Sequence, residues 1–304
     1  MITRDDVLRA RETLGDRLLR TPTLSSRTLG ARLKCELFQR TGSFKPRGAL
    51  NKLSNLTADE RRRGVIAISA GNHAQAVAYV AAQAGIDALL VMWRGASEQK
   101  IAATRGYGAD VDLEAANPAE AFERLAELID TTGRTMIHPF DDPLVCAGQG
   151  TVGLEIEEDA PEADAILVAV GGGGLITGIV AAIGAKTRVI AVEPENSQAL
   201  HAAVAAGEPV PVAPTSIADG LNAPFAGLLA IEACRDLERV LVTDDEIKHA
   251  FRFLYERAKL AVEPAGAAAA AALLAHKVEA DHPVVIVSGG NVATEIASGI
   301  LGST

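Results

Sequence analysis

The chain has 304 residues, 48% of them hydrophobic, with 29 Lys and Arg against 39 Asp and Glu and a formal net charge of −10. This composition excludes disorder as the main state, and a chain of this length buries roughly three quarters of the surface it exposes when unfolded, so it needs no disulfide or metal to fold. The negative balance excludes partners held by neutralising a phosphate backbone, so no nucleic-acid partner is expected.

Met1 to Arg17 is rich in charge and has no apolar run, so no signal peptide is expected there. The first notable segment is Thr41-Gly42-Ser43-Phe44-Lys45-Pro46-Arg47-Gly48, read as a loop because of its glycines. A lysine held against apolar neighbours and beside Arg47 loses proton affinity, as an imine-forming amine must; a solvated surface lysine is the competing reading. Arg61, Arg62 and Arg63 follow Thr57 and Glu60 at capping-box spacing and precede Gly64, which predicts the basic last turn of a helix.

Candidate strands follow at Val65 to Ser69, Ala88 to Met92, Ala109 to Leu113, Ile166 to Val170, Val189 to Val192, Arg239 to Val242 and Val284 to Val287. They lack polar alternation, as parallel strands covered on both faces do, which predicts an α/β fold. Asn117-Pro118 and Thr243-Asp244-Asp245-Glu246 carry helix start signals, and the alanine-rich run Ala265 to Ala275 reads as a buried helix. In such folds ligands sit outside the carboxyl ends of strands, so the loops there carry the chemistry.

Ser69-Ala70-Gly71-Asn72-His73-Ala74-Gln75 opens a helix directly after a strand and suits an anion, or alternatively is an N-capped helix with a structural histidine. Ala165 to Ala185 is uncharged and long enough to span a bilayer, but Gly171, Gly172, Gly173 and Gly174 divide it into strand, loop and helix, so no membrane span is expected. The tetraglycine lets a phosphate approach the backbone closely. A dinucleotide fold is the rival, because Glu193 lies about 20 residues on, where a ribose-binding acid would sit, although the G-x-G-x-x-G register fails. Ser288-Gly289-Gly290-Asn291 closes the last strand. Cys35, Cys146 and Cys234 lack metal or redox spacing and read as reduced thiols of a cytoplasmic protein.

Together with Ala147-Gly148-Gln149-Gly150-Thr151, Ile217-Ala218-Asp219-Gly220 and Val262-Glu263-Pro264, these segments resemble, in order and over nearly the whole chain, the serine/threonine dehydratase and serine racemase family of pyridoxal-phosphate enzymes of the tryptophan-synthase-β fold type, fold type II. The resemblance implies two open, twisted, mostly parallel sheets flanked by helices. It also implies a large domain from residues 1–63 and 142–304, a small inserted domain from 64–141, pyridoxal 5′-phosphate between them, and a homodimer. Lys45 is similar to the Schiff-base lysine that also removes the substrate's Cα proton. Gly171 to Gly174 with Leu175 look like the phosphate cradle, Asn72 like the partner of the cofactor's 3-hydroxyl, and Ser288 like the partner of the pyridine nitrogen. Phe44 would pack beside the ring and Gly220 would line it. Ser69, Ala70, Gly71, Asn72 and His73 would border the substrate carboxylate, and Phe140 the substrate side chain.

The implied reaction is dehydration and deamination of a small hydroxyamino acid, L-threonine or L-serine, to a 2-oxo acid and ammonia. A hydroxyl at Ser288 cannot hold a proton on the pyridine nitrogen as a carboxylate would, which favours β-elimination. Three departures from the family pattern stand out. Ala70 replaces the serine that racemases use as a second acid/base, which favours dehydration over racemisation. Ala199 stands where cation-binding members have an aspartate, so Glu193 alone does not make a metal site and none is expected. Trp93-Arg94-Gly95-Ala96 replaces a proline-bearing stretch. No regulatory domain is expected beyond Asn291. The alternatives are an amino-acid racemase, a 3-hydroxyaspartate dehydratase, an NAD-binding oxidoreductase and a non-catalytic cofactor-binding protein.

Overall fold

The structure is a computed structural model in which residues 1–302 are described. Its strands are β1 Thr23–Ser26, β2 Ala31–Cys35, β3 Val65–Ile68, β4 Ala88–Trp93, β5 Asp110–Ala115, β6 Thr135–Met136, β7 Ala165–Ala169, β8 Arg188–Pro194, β9 Glu238–Val242 and β10 Pro283–Val287. They form a six-stranded sheet in the order β1-β2-β10-β7-β8-β9 and a four-stranded sheet in the order β5-β4-β3-β6. Every pairing is parallel except β1 with β2. The long apolar strands sit where the sequence puts them, within a residue or two.

β1, β2 and β6 carry no apolar-run signal. β1 is a half-exposed edge, β6 has two residues, and β2 contains Arg32 and a fully buried Lys34.

Alternate residues of the large sheet face opposite cores. Leu167, Val285 and Val287 pack on the alanines of helix Pro264–Leu274, while Ile166, Val168, Val284 and Ile286 pack on helices Pro143–Asp159 and Gly174–Ile183. The small sheet's main core extends beyond its own strands. It takes in Leu14, Leu18 and, from helix Lys45–Ser54, Ala49, Leu50 and Leu53.

The stretch from Lys45 to Gly48 is therefore the first turn of a helix, not a loop. Pro46 is tolerated in a first turn, where its missing N–H has no intrahelical partner to lose. Gly48 is required by contact: a Cβ there would lie 2.7 Å from the Val145 carbonyl oxygen of helix Pro143–Asp159.

That helix is tied down by a buried ion network. The Arg47 guanidinium meets both oxygens of Glu36 at 2.8 Å and both of Glu155 at 2.6 and 2.9 Å. Lys34 Nζ pairs with Glu155 at 2.7 Å and donates to the Thr21 carbonyl at 2.8 Å. Two bidentate carboxylate clamps fix both position and rotation of a planar guanidinium. Among the described residues no helix is long and apolar enough to cross a membrane.

Candidate active site

The segments that follow β2, β3, β7 and β10 converge on a cavity of about 910 Å³. Phe44, Lys45, Ser69, Ala70, Gly71, Asn72, His73, Phe140, Gly171, Gly172, Gly173, Gly174, Leu175, Gly220 and Ser288 all line it. A parallel sheet makes this possible, because its strand ends, and so the loops after them, lie on one edge.

Lys45 enters this cavity at the start of its helix. Its Nζ donates to the Pro139 carbonyl at 2.8 Å and lies 5.1 Å from the Phe44 ring centroid. Burial brings its pKa down to about 8, against the opposing influence of Cys146 and Glu263. The reading that Arg47 depresses Lys45 needs correcting. Two positions apart on a helix, the side chains point to different faces, and the Arg47 charge is spent on Glu36 and Glu155.

The turn ahead of Lys45 is strained and braced. Thr41 adopts φ 60, a left-handed conformation unusual for a β-branched residue. Asn291 Nδ2 donates to the Thr41 carbonyl at 2.7 Å and to Asn72 Oδ1 at 2.8 Å, and the Phe44 N–H donates to the Ser288 carbonyl at 3.2 Å. The loop after β10 thus holds the lysine turn and Asn72 together.

Asn72 Nδ2 donates to Glu263 Oε1 at 2.7 Å. Burial, reinforced by Asp219, pushes the Glu263 carboxyl up to about 7, opposed by the Asn72 hydrogen bond. Glu263 had no role in the sequence reading. The available signal was a carboxylate flanked by Val262 and Pro264 at the mouth of an apolar helix.

His73 is buried, with Nε2 2.8 Å from the Ile137 carbonyl, which makes that nitrogen the N–H donor. Its Nδ1 is then an acceptor, buried without a protein partner. Burial and the Lys45 charge lower the ring's pKa to about 3, so it is neutral.

The tetraglycine is built for close approach. Gly173 has φ 94, a Cβ on Gly172 would overlap the Phe140 ring, and one on Gly174 would lie 2.9 Å from Phe140 Cα. Phe140, expected at the substrate side chain, therefore packs on the glycines, edge-on to Phe225 at 5.3 Å between centroids. Backbone N–H groups of this turn and of helix Gly174–Ile183 provide a place for a phosphate.

Glu193 lies away from the cavity lining. It is buried and accepts from the Leu200 N–H at 2.7 Å, the His201 N–H at 3.0 Å and His201 Nδ1 at 2.5 Å, so it caps helix Ala199–Ala206. Among the described residues no group of three or more His, Cys, Asp or Glu could hold a metal.

A family model described as pyridoxal-phosphate dependent enzyme matches residues 15–290. The chain belongs to this pyridoxal-phosphate dependent enzyme family. Among relatives, it is 43% identical to the catabolic L-threonine dehydratase of Escherichia coli K12, covering 98% of this chain and 95% of that one. It is 42% identical to the L-threonine ammonia-lyase of Thermotoga maritima, covering 99% of this chain and 78% of that one. The solved maize serine racemase superposes with a TM-score of 0.92 at 35% identity, covering 97% and 95% of the two chains.

As a member of this family the chain is a pyridoxal-phosphate dependent enzyme of fold type II. The residues present suit that cofactor: a half-buried amine with lowered proton affinity for its aldehyde, a glycine turn that any Cβ would fill for its phosphate, and an unpartnered His73 acceptor in the same cavity.

Proposed function

We propose that the enzyme is a hydroxyamino-acid ammonia-lyase that converts L-threonine or L-serine to the 2-oxo acid and ammonia. The observation that carries this reading is the half-buried Lys45 amine, with a pKa of about 8, in the cavity that the tetraglycine turn also lines, in a chain 43% identical to a threonine dehydratase. Bound pyridoxal phosphate would supply the electron sink for the Cα carbanion. Lys45, whose lowered proton affinity leaves a share of neutral amine near pH 8, takes the Cα proton. Gly171, Gly172, Gly173 and Gly174, with Leu175, hold the phosphate. Asn72, fixed by Glu263 and Asn291, orients the ring substituent, and Phe44, Gly220 and Ser288 flank the ring. Ser69, Ala70, Gly71 and His73 border the substrate carboxylate, with Phe140 closing the glycine end.

Following 2-oxobutyrate and ammonia after adding L-threonine to the holoenzyme tests the reading. Turnover is expected, and Lys45→Ala should lose at least roughly a thousandfold of it. Absence of product from both threonine and serine would overturn it.

Racemisation is the second reading, favoured by the likeness to serine racemase. Ala70 opposes it, and inversion at Cα in deuterated water would be its signature. A 3-hydroxyaspartate substrate fares worse, because no arginine lines the described cavity and Lys100 is engaged by Asp219. The oxidoreductase reading loses its ribose acid, since Glu193 is a helix cap.

We further infer a large domain of residues 1–63 and 142–304 and a small one of 64–141, supported by the division into two sheets. Exposed Leu24 on the edge strand β1 and Phe38 just beyond β2 support a homodimer, testable by sedimentation. The buried free thiols of Cys35, Cys146 and Cys234 support a reducing, cytoplasmic setting.

A further inference from the structure

Aromatic residues are scarce in this chain, with 7 Phe, 3 Tyr and 1 Trp, yet Phe44, Trp93, Phe122, Phe140 and Phe225 all line the one cavity. Phe44 lies under Lys45, while Phe140 packs on the tetraglycine and Phe225 packs edge-on to Phe140. Trp93 and Phe122 have no such task. Trp93 ends β4, and Phe122 is on the first turns of helix Pro118–Thr132, so both come from the small-sheet side. One side of Trp93 packs on the core beneath that helix, and Phe122 is 39% exposed.

An aromatic ring left in a cavity wall is apolar surface that stabilises the complex only when an apolar group covers it. The charges on this wall do not compete for the substrate. Lys100 is paired with Asp219, and no arginine lines the described cavity. Ala70 and Gly71 add little bulk nearby, and 910 Å³ lies near the top of the roughly 300–1,000 Å³ range of small-molecule sites. The groups assigned to the cofactor's aldehyde and phosphate, Lys45 and the tetraglycine, follow strands of the large sheet, which leaves Trp93 and Phe122 on the other side without an assigned partner.

We propose that Trp93 and Phe122 form a specificity surface for 3-hydroxy amino acids whose β-carbon carries a bulky apolar group, aryl above all. This rests on the ammonia-lyase reading and names its substrate class. The chemistry is unchanged. The Cα–H bond breaks with its proton going to Lys45, and the Cβ–O bond breaks with the hydroxyl taking up that proton, passed on from Lys45, and leaving as water. The released enamine then tautomerises and is hydrolysed by one water. For 3-phenylserine the products are phenylpyruvate and ammonia, with no net redox change.

The test compares L-threo-3-phenylserine with L-threonine on one holoenzyme preparation. The kcat/KM for phenylserine is expected to be within tenfold of that for threonine, or above it. In Phe122→Ala the phenylserine-to-threonine ratio of kcat/KM should fall by roughly tenfold or more, the scale on which apolar pockets discriminate. Trp93, the sole tryptophan, gives a second readout. Its fluorescence should respond to L-phenylalanine, which has no β-leaving group, at concentrations at least tenfold below those needed for L-alanine. A wild-type value for phenylserine more than tenfold below threonine, an equal loss on both substrates in Phe122→Ala, or an equal fluorescence response to the two amino acids would overturn the proposal. If threonine, serine and phenylserine all fail to turn over, the ammonia-lyase reading falls, and the fluorescence titration alone decides whether the aromatic surface binds.

Discussion

Three ionisable groups in the cavity, His73 and Glu263 buried and Lys45 half-buried, have displaced proton affinities, each mainly through loss of hydration, which disfavours whichever form is charged. It lowers Lys45 to about 8 and His73 to about 3, and raises Glu263 to about 7. These shifts couple stability to pH with opposite signs. The stability that Glu263 contributes is complete below its ordinary value of 4.5 and is lost as pH rises through 7. His73 runs the other way, losing its contribution as pH falls from 6.5 towards 3. The two windows overlap, so wild-type stability alone will not separate them. Comparison with Glu263→Gln will: the glutamine can still accept from Asn72 but cannot ionise. The variant should match the wild type near pH 4.5 and exceed it at pH 8 by up to about 3 kcal/mol in denaturant unfolding. Equal pH dependence in the two proteins would show that Glu263 ionises in the fold as it does in the unfolded chain, and so is solvated there.

The element that matters most is helix Lys45–Ser54, which aims its first residue at the cavity and its third at a buried carboxylate pair. Replacing Arg47 with methionine removes the guanidinium shared by Glu36 and Glu155, leaving Lys34 paired with Glu155 and the Thr21 hydroxyl with Glu36. Breaking a buried pair by removing one partner costs about 3–5 kcal/mol, so thermal unfolding should show a large loss, with Arg47→Lys intermediate because an ammonium cannot bridge both carboxylates bidentately. The tetraglycine turn makes a parallel demand on space. Gly172→Ala forces Phe140 off the turn, and overpacking of this kind costs typically about 1–3 kcal/mol. Purified Gly172→Ala should carry less than half the bound pyridoxal phosphate of wild type, measured after denaturation; full occupancy would show that the Phe140 ring moves freely.

These elements also mark how far the sequence was legible. Val65–Ile68, Ala165–Ala169 and Pro283–Val287 are visible because continuous apolar runs are the direct signature of a doubly covered strand. β2 was not, because Lys34 looks like a surface residue until tertiary partners neutralise it. Gly48 argued for a loop for the same reason: its counterpart, Val145 of another helix, is nearly a hundred positions away. The glycine turns and Lys45 were legible as local chemistry. Glu263 and Phe122 gained meaning only from groups brought to them by the fold.

At the scale of the whole molecule, the cavity is bounded by two sheets, and one ion pair crosses its mouth. Lys100, on helix Glu98–Gly106 beside the small sheet, pairs with Asp219, on the short turn Asp219–Leu221 that connects helices Ala199–Ala206 and Leu228–Cys234 beside the large one. Asp219 is 55% exposed, so water and salt screen the pair, and such contacts are worth about 0.2–1 kcal/mol. That is too little to hold the two layers rigidly and enough to bias how they sit. An equilibrium shifted by this amount changes a binding constant by a factor of roughly 1.4 to 5. Lys100→Gln should therefore alter KM for the amino-acid substrate within that range while leaving unfolding temperature nearly constant. Raising potassium chloride should carry wild-type KM towards the variant's value, because the Debye length shrinks from about 10 Å at 0.1 M to 3 Å at 1 M. The variant itself should respond to salt less. A KM for Lys100→Gln that keeps the full salt dependence of wild type would remove this ion pair from the control of access and leave the cavity mouth to be set by packing alone.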